Sequence, residues 1–306
     1  MSVESGTRAI IAAMLANLGI AVTKFVAYLI TTSSSMLAES VHSLADTGNQ
    51  VLLLFGGRQA KRRATPEHPF GYGRDRYIYG FIVSVVLFTL GGLFALYEGY
   101  HKIADPHPIE RWYIAVGVLL IAIGLEAFSF RTAIVESNKV RGRQSWAEFI
   151  RHAKAPELPV VLLEDFGAMI GLIFAMIGVL LAVWTDNGVW DGIGSLGIGL
   201  LLVVIAAVLA VEMKSLLLGE AATPAAQERI KAALMSQPGV ESIIHIRTMH
   251  LGPDELLVAA KIAVSGSATA AEVAATIDAA EASIRAVEPA AQLIYLEPDI
   301  RRVPAD

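Results

Sequence analysis

Six apolar stretches of spanning length follow one another between Ala9 and Leu218, with polar loops between them. They cover about Ala9 to Thr31, Met36 to Gly57, Ile78 to Tyr100, Tyr113 to Val135, Val160 to Trp184 and Gly192 to Leu218. A helix that crosses the hydrocarbon of a bilayer needs about 20 such residues. The pattern predicts a membrane all-α bundle of six transmembrane helices, with both termini on one side. After Gly219 the period changes. Thr223-Pro224 opens a helix, Thr as N-cap and Pro in the first turn, and Pro238-Gly239 closes it. Ser242 to Leu251 and Glu255 to Ser265 read as strands around the turn Gly252-Pro253-Asp254. Ala270 to Val287 reads as a helix and Gln292 to Glu297 as a last strand. The order αββαβ predicts a small α+β layer, helices on one face of a sheet. The chain therefore divides into a transmembrane domain, 1–219, and a soluble C-terminal domain, 220–306.

Charge orients the bundle, because short loops rich in Lys and Arg stay in the cytoplasm. The loop after the second stretch holds Arg58, Lys61, Arg62, Arg63, Arg74 and Arg76, and the loop after the fourth holds Lys139, Arg141, Arg143, Arg151 and Lys154. Thr32 to Ser35 and Thr185 to Asp191 hold none, and the loop after the third stretch holds only Lys102 and Arg111. Both termini are thus expected in the cytoplasm. Composition agrees with a membrane chain. Of 306 residues 55% are hydrophobic and 17% charged, against about 25% charged in soluble domains, and mean hydropathy is +0.56. A net charge of −5 offers nothing to nucleic acid, and the lack of cysteine excludes disulfides and thiolate ligands. Met1 to Arg8 is short and polar, without a separate signal-peptide pattern or organelle presequence. The first stretch is expected to be a retained span, in a multi-pass protein of a bacterial cell inner membrane.

The second stretch carries the chemistry. His42 and Asp46 are four residues apart, so they share a helix face, and Glu39, three residues before His42, joins them. Ionisable groups at this depth cost about 2.5 kcal/mol or more each and are rare unless they line a pathway. Imidazole nitrogen and carboxylate oxygen together suit a borderline divalent cation such as zinc. The plain alternative is a buried polar contact between helices. About four ligands are wanted, so a second helix must contribute, and the fifth stretch offers Glu164-Asp165. Adjacent residues point about 100° apart, so one of them faces the metal squarely. Asp165 is the favoured ligand, with Glu164 as fourth ligand or proton carrier. Val161, one turn before Asp165, cannot ligate. Gly167, Gly171 and Gly178 are read as close helix packing.

In this arrangement the chain resembles the cation diffusion facilitator family of divalent-metal/proton antiporters, in the branch of the mitochondrial zinc transporters. The resemblance rests on Asn17 and Lys24, on Ser35-Met36-Leu37 and on His42-Ser43-Leu44-Ala45-Asp46. It also rests on His68-Pro69-Phe70-Gly71-Tyr72-Gly73-Arg74, Glu98-Gly99, Asp191, Arg247-Thr248 and Gly252-Pro253. It implies six helices, a cytoplasmic ferredoxin-like domain, a homodimer, and a transport site between the second and fifth spans. It also implies zinc as transported substrate and protons as coupling ion. Where the family usually has His or Asp one turn before the span-five Asp, this chain has Val161, so Glu164 or Glu39 completes the set. The loop site of some members, one Asp and two His, is reduced here to His68, with Thr65 and Tyr72 at the other positions. The tail cluster of some members is reduced to His245, His250 and Glu297, with Tyr295 at an expected ligand position.

Lys24 reads either as a charge interacting with the site or the dimer partner, or as a snorkelling or paired structural lysine. Glu98 and Glu126 read as capping or Arg-pairing residues near span ends. Ser145 to His152 reads as an interfacial amphipathic helix with Trp146, Phe149 and Ile150 toward lipid. The expected function is export of a divalent cation, most simply zinc, in exchange for protons. A passive divalent-cation channel is the alternative. A His-plus-carboxylate set binds too tightly for fast conduction, and a channel would show no proton coupling. A membrane metalloprotease would want a His-Glu-x-x-His set, yet His42 is followed by Ser43 and no span holds a second His. A tail-based metal sensor lacks ligands.

Overall fold

The computed structural model describes the backbone from Val3 to Ile300 and side chains from Asn17 onward. Residues 1 and 2, at the polar start of the chain, lie outside the described residues. The chain forms two compact units. The first comprises Met1–Arg58 and Tyr77–Lys214, the second Gln59–Arg76 and Ser215–Asp306.

The first unit is helical. Its elements are α1 (Val3–Thr31), α2 (Ser34–Gln59), α3 (Asp75–Val86), α4 (Phe94–Ala104), α5 (Trp112–Arg141), α6 (Trp146–His152), α7 (Glu157–Thr185) and α8 (Val189–Leu218). A π-helical segment, Leu87–Leu93, joins α3 to α4 without a break. The long helices overrun their expected apolar stretches by a few residues, because the backbone N–H and C=O groups of flanking polar residues keep the ladder going. Among the described residues four helices are long and apolar enough to cross a membrane: Asp75–Ala104, Trp112–Arg141, Glu157–Thr185 and Val189–Leu218. Asn17–Thr31 of α1 is a shorter apolar piece. α2 has the length, but Glu39, His42, Asp46 and Asn49 lower its hydropathy. The core between helices is aliphatic and small: Met36, Leu53, Val83, Leu87, Leu119, Leu172, Ile198 and Leu202 are buried, interleaved with Ala27, Ala38, Ala95 and Ala175.

Two readings near this core are corrected. The Ser145 capping box does start a helix at Trp146, but Phe149 turns inward. It is buried with Ala133 of α5 and Leu162 of α7, while Trp146 lies under the Arg141 guanidinium, 4.2 Å from ring centre. Of the two large aromatics in this seven-residue helix, Phe149 is buried and Trp146 stays exposed. Lys102 is not a loop charge. It sits buried in the last turn of α4, and its Nζ donates to the Thr32 carbonyl at 2.9 Å.

The second unit holds α9 (Pro224–Met235), β1 (Ser242–Gly252), β2 (Glu255–Ala263), α10 (Ala270–Val287) and β3 (Leu293–Asp299). The sheet order is β1-β2-β3, with β1 antiparallel and β3 parallel to β2. In β2 the residues Leu256, Val258, Ala260 and Ile262 alternate inward. They meet Ile230 and Leu234 of α9 and Ala280 and Ile284 of α10. Thr223 caps α9, and Thr269 with Glu272 forms a capping box on α10. The basic loop 59–76 belongs to this unit. Gly73 lies so close to the Leu251 carbonyl that a Cβ would be 2.9 Å from its oxygen, and Arg76 Nη1 pairs with Asp254 Oδ2 at 3.0 Å.

Candidate metal-binding site

α2 delivers one polar face into the bundle. Its N-terminus is held by Asp191, the acid in the first turn of α8. Ser33 Oγ donates to Asp191 Oδ1 (2.8 Å), the Ser34 N–H to Oδ2 (2.7 Å) and the Ser35 N–H to Oδ1 (3.3 Å). A buried carboxylate on the free N–H groups of a helix start satisfies those donors and opposes the helix dipole favourably. From this anchor the face runs through Glu39, His42, Asp46 and Asn49.

His42 and Asp46 are brought together as the spacing requires: Nδ1 lies 3.5 Å from Asp46 Oδ1. His42 is 1% exposed, and neither ring nitrogen has a hydrogen-bond partner among the described residues. Asp46 Oδ1 and Asn49 Oδ1 are likewise buried without partners. Buried polar atoms left unpaired cost about 1–3 kcal/mol each, so this stripe is costly to keep without a partner. Beside it lies the π-helical segment. A Cβ on Gly91 would fall 3.7 Å from His42 Nδ1 and 3.1 Å from Leu202, so the wide turn presses bare backbone against the imidazole. Such insertions recur at functional sites, and no apolar periodicity announces them.

Glu39 faces a different partner. Lys24 Nζ lies 2.9 Å from Glu39 Oε2 and donates to Ser43 Oγ at 2.8 Å, with the two charged side chains 2% and 0% exposed. Lys24 is thus a paired buried lysine, and its ammonium acts electrostatically on His42, Asp46 and Glu126. The other Glu39 oxygen faces Gly171 of α7, where a Cβ would stand 2.6 Å away.

The adjacent acids of α7 diverge as their 100° separation demands. Glu164 is buried and faces α2: Asn49 Nδ2 donates to its Oε1 at 2.7 Å. Asp165 turns to α5 and accepts from Ser129 Oγ at 3.0 Å. Glu126 sits mid-helix in α5, not near a span end, and interacts electrostatically with Asp165 and Glu39. The sequence misplaced Glu126 at a span end and did not single out Asn49, although Asn49 shares the His42 face at i+7. Among the described residues no three His, Asp or Glu side chains converge at metal-ligating distance. His42 and Asp46 meet; Glu164 and Asp165 are held by Asn49 and Ser129; Glu39 is held by Lys24.

The positions outside the membrane helices serve each other. Thr65 Oγ1 lies 3.3 Å from the Tyr72 hydroxyl, and His68 packs edge-on against that ring. In the tail, His250 Nδ1 is 3.3 Å from the Gly252 carbonyl. Glu297 pairs with Lys261 (3.0 Å), which also meets Asp299 (2.9 Å). Hydrogen bonds that the Lys261 ammonium donates to Asp299 and Glu297 push it above its ordinary range.

Residues 10–218 match the cation efflux transmembrane domain, and residues 222–299 match the cation efflux protein cytoplasmic domain. The chain is similar to the mitochondrial proton-coupled zinc antiporter SLC30A9 of Xenopus laevis, 33% identical over 246 residues, 79% of this chain and 44% of that one. It is similar to metal tolerance protein C4 of Arabidopsis thaliana, 27% identical over 265 residues, 86% of this chain and 58% of that one. It is also similar to the magnetosome protein MamM of Magnetospirillum gryphiswaldense, 28% identical over 235 residues, 74% of this chain and 67% of that one. The chain thus spans about half the length of the first two relatives.

Proposed function

The chain belongs to the cation efflux family, and from that premise we propose that it is a divalent-cation/proton antiporter with zinc as its transported substrate. One observation carries the proposal: a fully buried imidazole beside a carboxylate on a membrane helix, neither ring nitrogen having a hydrogen-bond partner among the described residues. The name of the Xenopus relative, a proton-coupled zinc antiporter, points the same way. The cation is bound by His42 and Asp46 of α2 with Asp165 of α7. Glu164 is better placed than Glu39 to complete the set, since Glu39 is neutralised by Lys24.

Ligation needs neutral imidazole and ionised carboxylates, so cation binding expels protons. Rocking of helices then opens the site to the other face. There protons compete with the cation for His42 and the carboxylates, and the cation departs. Nitrogen from His42 favours zinc over manganese or magnesium, which prefer all-oxygen sites. The proposal extends to six spanning helices, α1 and α2 included, within a membrane domain of residues 1–219. It extends also to a cytoplasmic domain of residues 220–306 that joins two copies as a homodimer, to cytoplasmic termini and to a cell inner membrane.

The test is zinc flux in proteoliposomes carrying an internal pH dye, for the parent chain and Asp165→Ala. Zinc movement with opposing proton movement, lost in the variant, is expected. Zinc movement without a pH signal would replace the antiporter by a passive channel. A variant that transports at the parent rate would remove Asp165 from the site.

A further inference from the structure

The orphan acceptors of α2 are not confined to His42 and Asp46. Asn49 follows Asp46 by three residues and His42 by seven, and at 100° per residue it lies about 20° from His42 around the helix and about 10 Å further along the axis. It is 0% exposed. Its amide orientation follows from its partner. The Glu164 carboxylate accepts, so Asn49 must turn its NH₂ toward Glu164 Oε1, at 2.7 Å. The Oδ1 atom is then left buried with no hydrogen-bond partner among the described residues. An amide serving only to pin α7 would pair both ends or let its oxygen reach water. Here the oxygen is kept dry on the face that carries Asp46 Oδ1 and the His42 nitrogens, which also lack hydrogen-bond partners among the described residues.

We propose that Asn49 and Glu164 form a second, oxygen-lined cation station, on the Arg58 side of the His42–Asp46 pair, which receives a divalent cation and passes it along the α2 face to His42. The station rests on the proposed cation path. Its donors are the Asn49 carboxamide oxygen and the Glu164 carboxylate, and both Glu164 and Asp46, one turn from Asn49, are shared with the His42 site. Oxygen donors of this kind accept zinc and manganese alike, so the station admits divalent cations broadly and the imidazole selects among them. The Asn49–Glu164 hydrogen bond closes the station when no cation is present, since it holds the carboxylate and positions the oxygen.

Zinc uptake into proteoliposomes by the full chain gives the test, with Asn49→Leu replacing the amide by an apolar group of similar volume. Loss of a metal-site partner costs about 10–100-fold in affinity, so the zinc KM should rise at least about tenfold, with the maximal rate near that of the parent. Manganese should also compete less well against zinc. An unchanged KM overturns the station. So does a fall in maximal rate at unchanged KM, which marks a packing lesion. Should Asn49→Leu fail to fold, Asn49→Asp carries the test. A third carboxylate oxygen set must lower the zinc KM and strengthen competition by manganese, and unchanged competition overturns the proposal. Zinc titration calorimetry in detergent separates the two readings. An Asn49-dependent binding step without transport sinks the antiporter alone; transport abolished by His42→Ala but indifferent to Asn49 sinks the station alone.

Discussion

Replacing Lys24 by Met leaves Glu39 as an unpaired carboxylate inside the helix bundle. At 2.9 Å and an effective dielectric of about 20, the attraction between the two charges is about 6 kcal/mol. Part of that offsets the desolvation of both groups, so the net cost of removing one partner is about 3–5 kcal/mol. The Ser43 hydroxyl also loses its donor. For a domain of this size each kcal/mol moves the melting point by about 2–4 °C, so Lys24→Met should melt roughly 6–20 °C below the parent. The assay is thermal unfolding of the purified chain in detergent, followed by tryptophan fluorescence or circular dichroism. Lys24→Met/Glu39→Gln should recover much of the loss, because no uncompensated charge remains. A single variant that melts with the parent, or a double variant that melts no higher than the single, would refute the pairing.

Gly171→Ala places a methyl against Glu39 Oε1, and overpacking of this kind costs about 1–3 kcal/mol. The melting point should fall, and by less in a Glu39→Ala background. Asp191→Ala strips the acceptor from Ser33, Ser34 and Ser35, at about 1–3 kcal/mol for the donors left buried. Hydrogen exchange should show the first turn of α2 opening faster, with Asp191→Asn between variant and parent; unchanged protection would deny the anchoring role. Glu272 accepts from the Thr269 N–H and hydroxyl, bonds that hold its carboxyl below the ordinary value of 4.5. A depressed carboxylate stabilises above its unfolded value and loses that contribution as pH falls through its folded value. Protection of the first turn of α10 should therefore drop on acidification below 4.5. Glu272→Gln should flatten this response.

Much of the chain is legible in its residues. The tail elements fall within a residue or two of their expected limits, because Thr223, Pro238-Gly239, Gly252-Pro253 and Thr269 are local stop and start signals. The long helices are equally plain from their apolar length. Missing from the pattern are the π-helical segment at Leu87–Leu93, the inward turn of Phe149 and the central place of Glu126 in α5. Each depends on what the neighbouring element presents. Glu126 lies at the middle of α5, Trp112–Arg141, and its place there beside Asp165 is set by the packing of α5 on α7.

Within one helix the geometry is set by 3.6 residues per turn, so the sequence by itself determined that His42 and Asp46 share a face and that Glu164 and Asp165 cannot. Between helices no such rule exists. The rotation of each helix about its axis is decided by how small residues such as Gly91 and Gly171 let neighbours approach. That packing alone decided that Lys24 neutralises Glu39, that Asn49 meets Glu164 and that Ser129 takes Asp165. These partners lie 15, 115 and 36 residues apart, beyond the reach of any periodicity, and only the folded bundle brings them within a hydrogen bond.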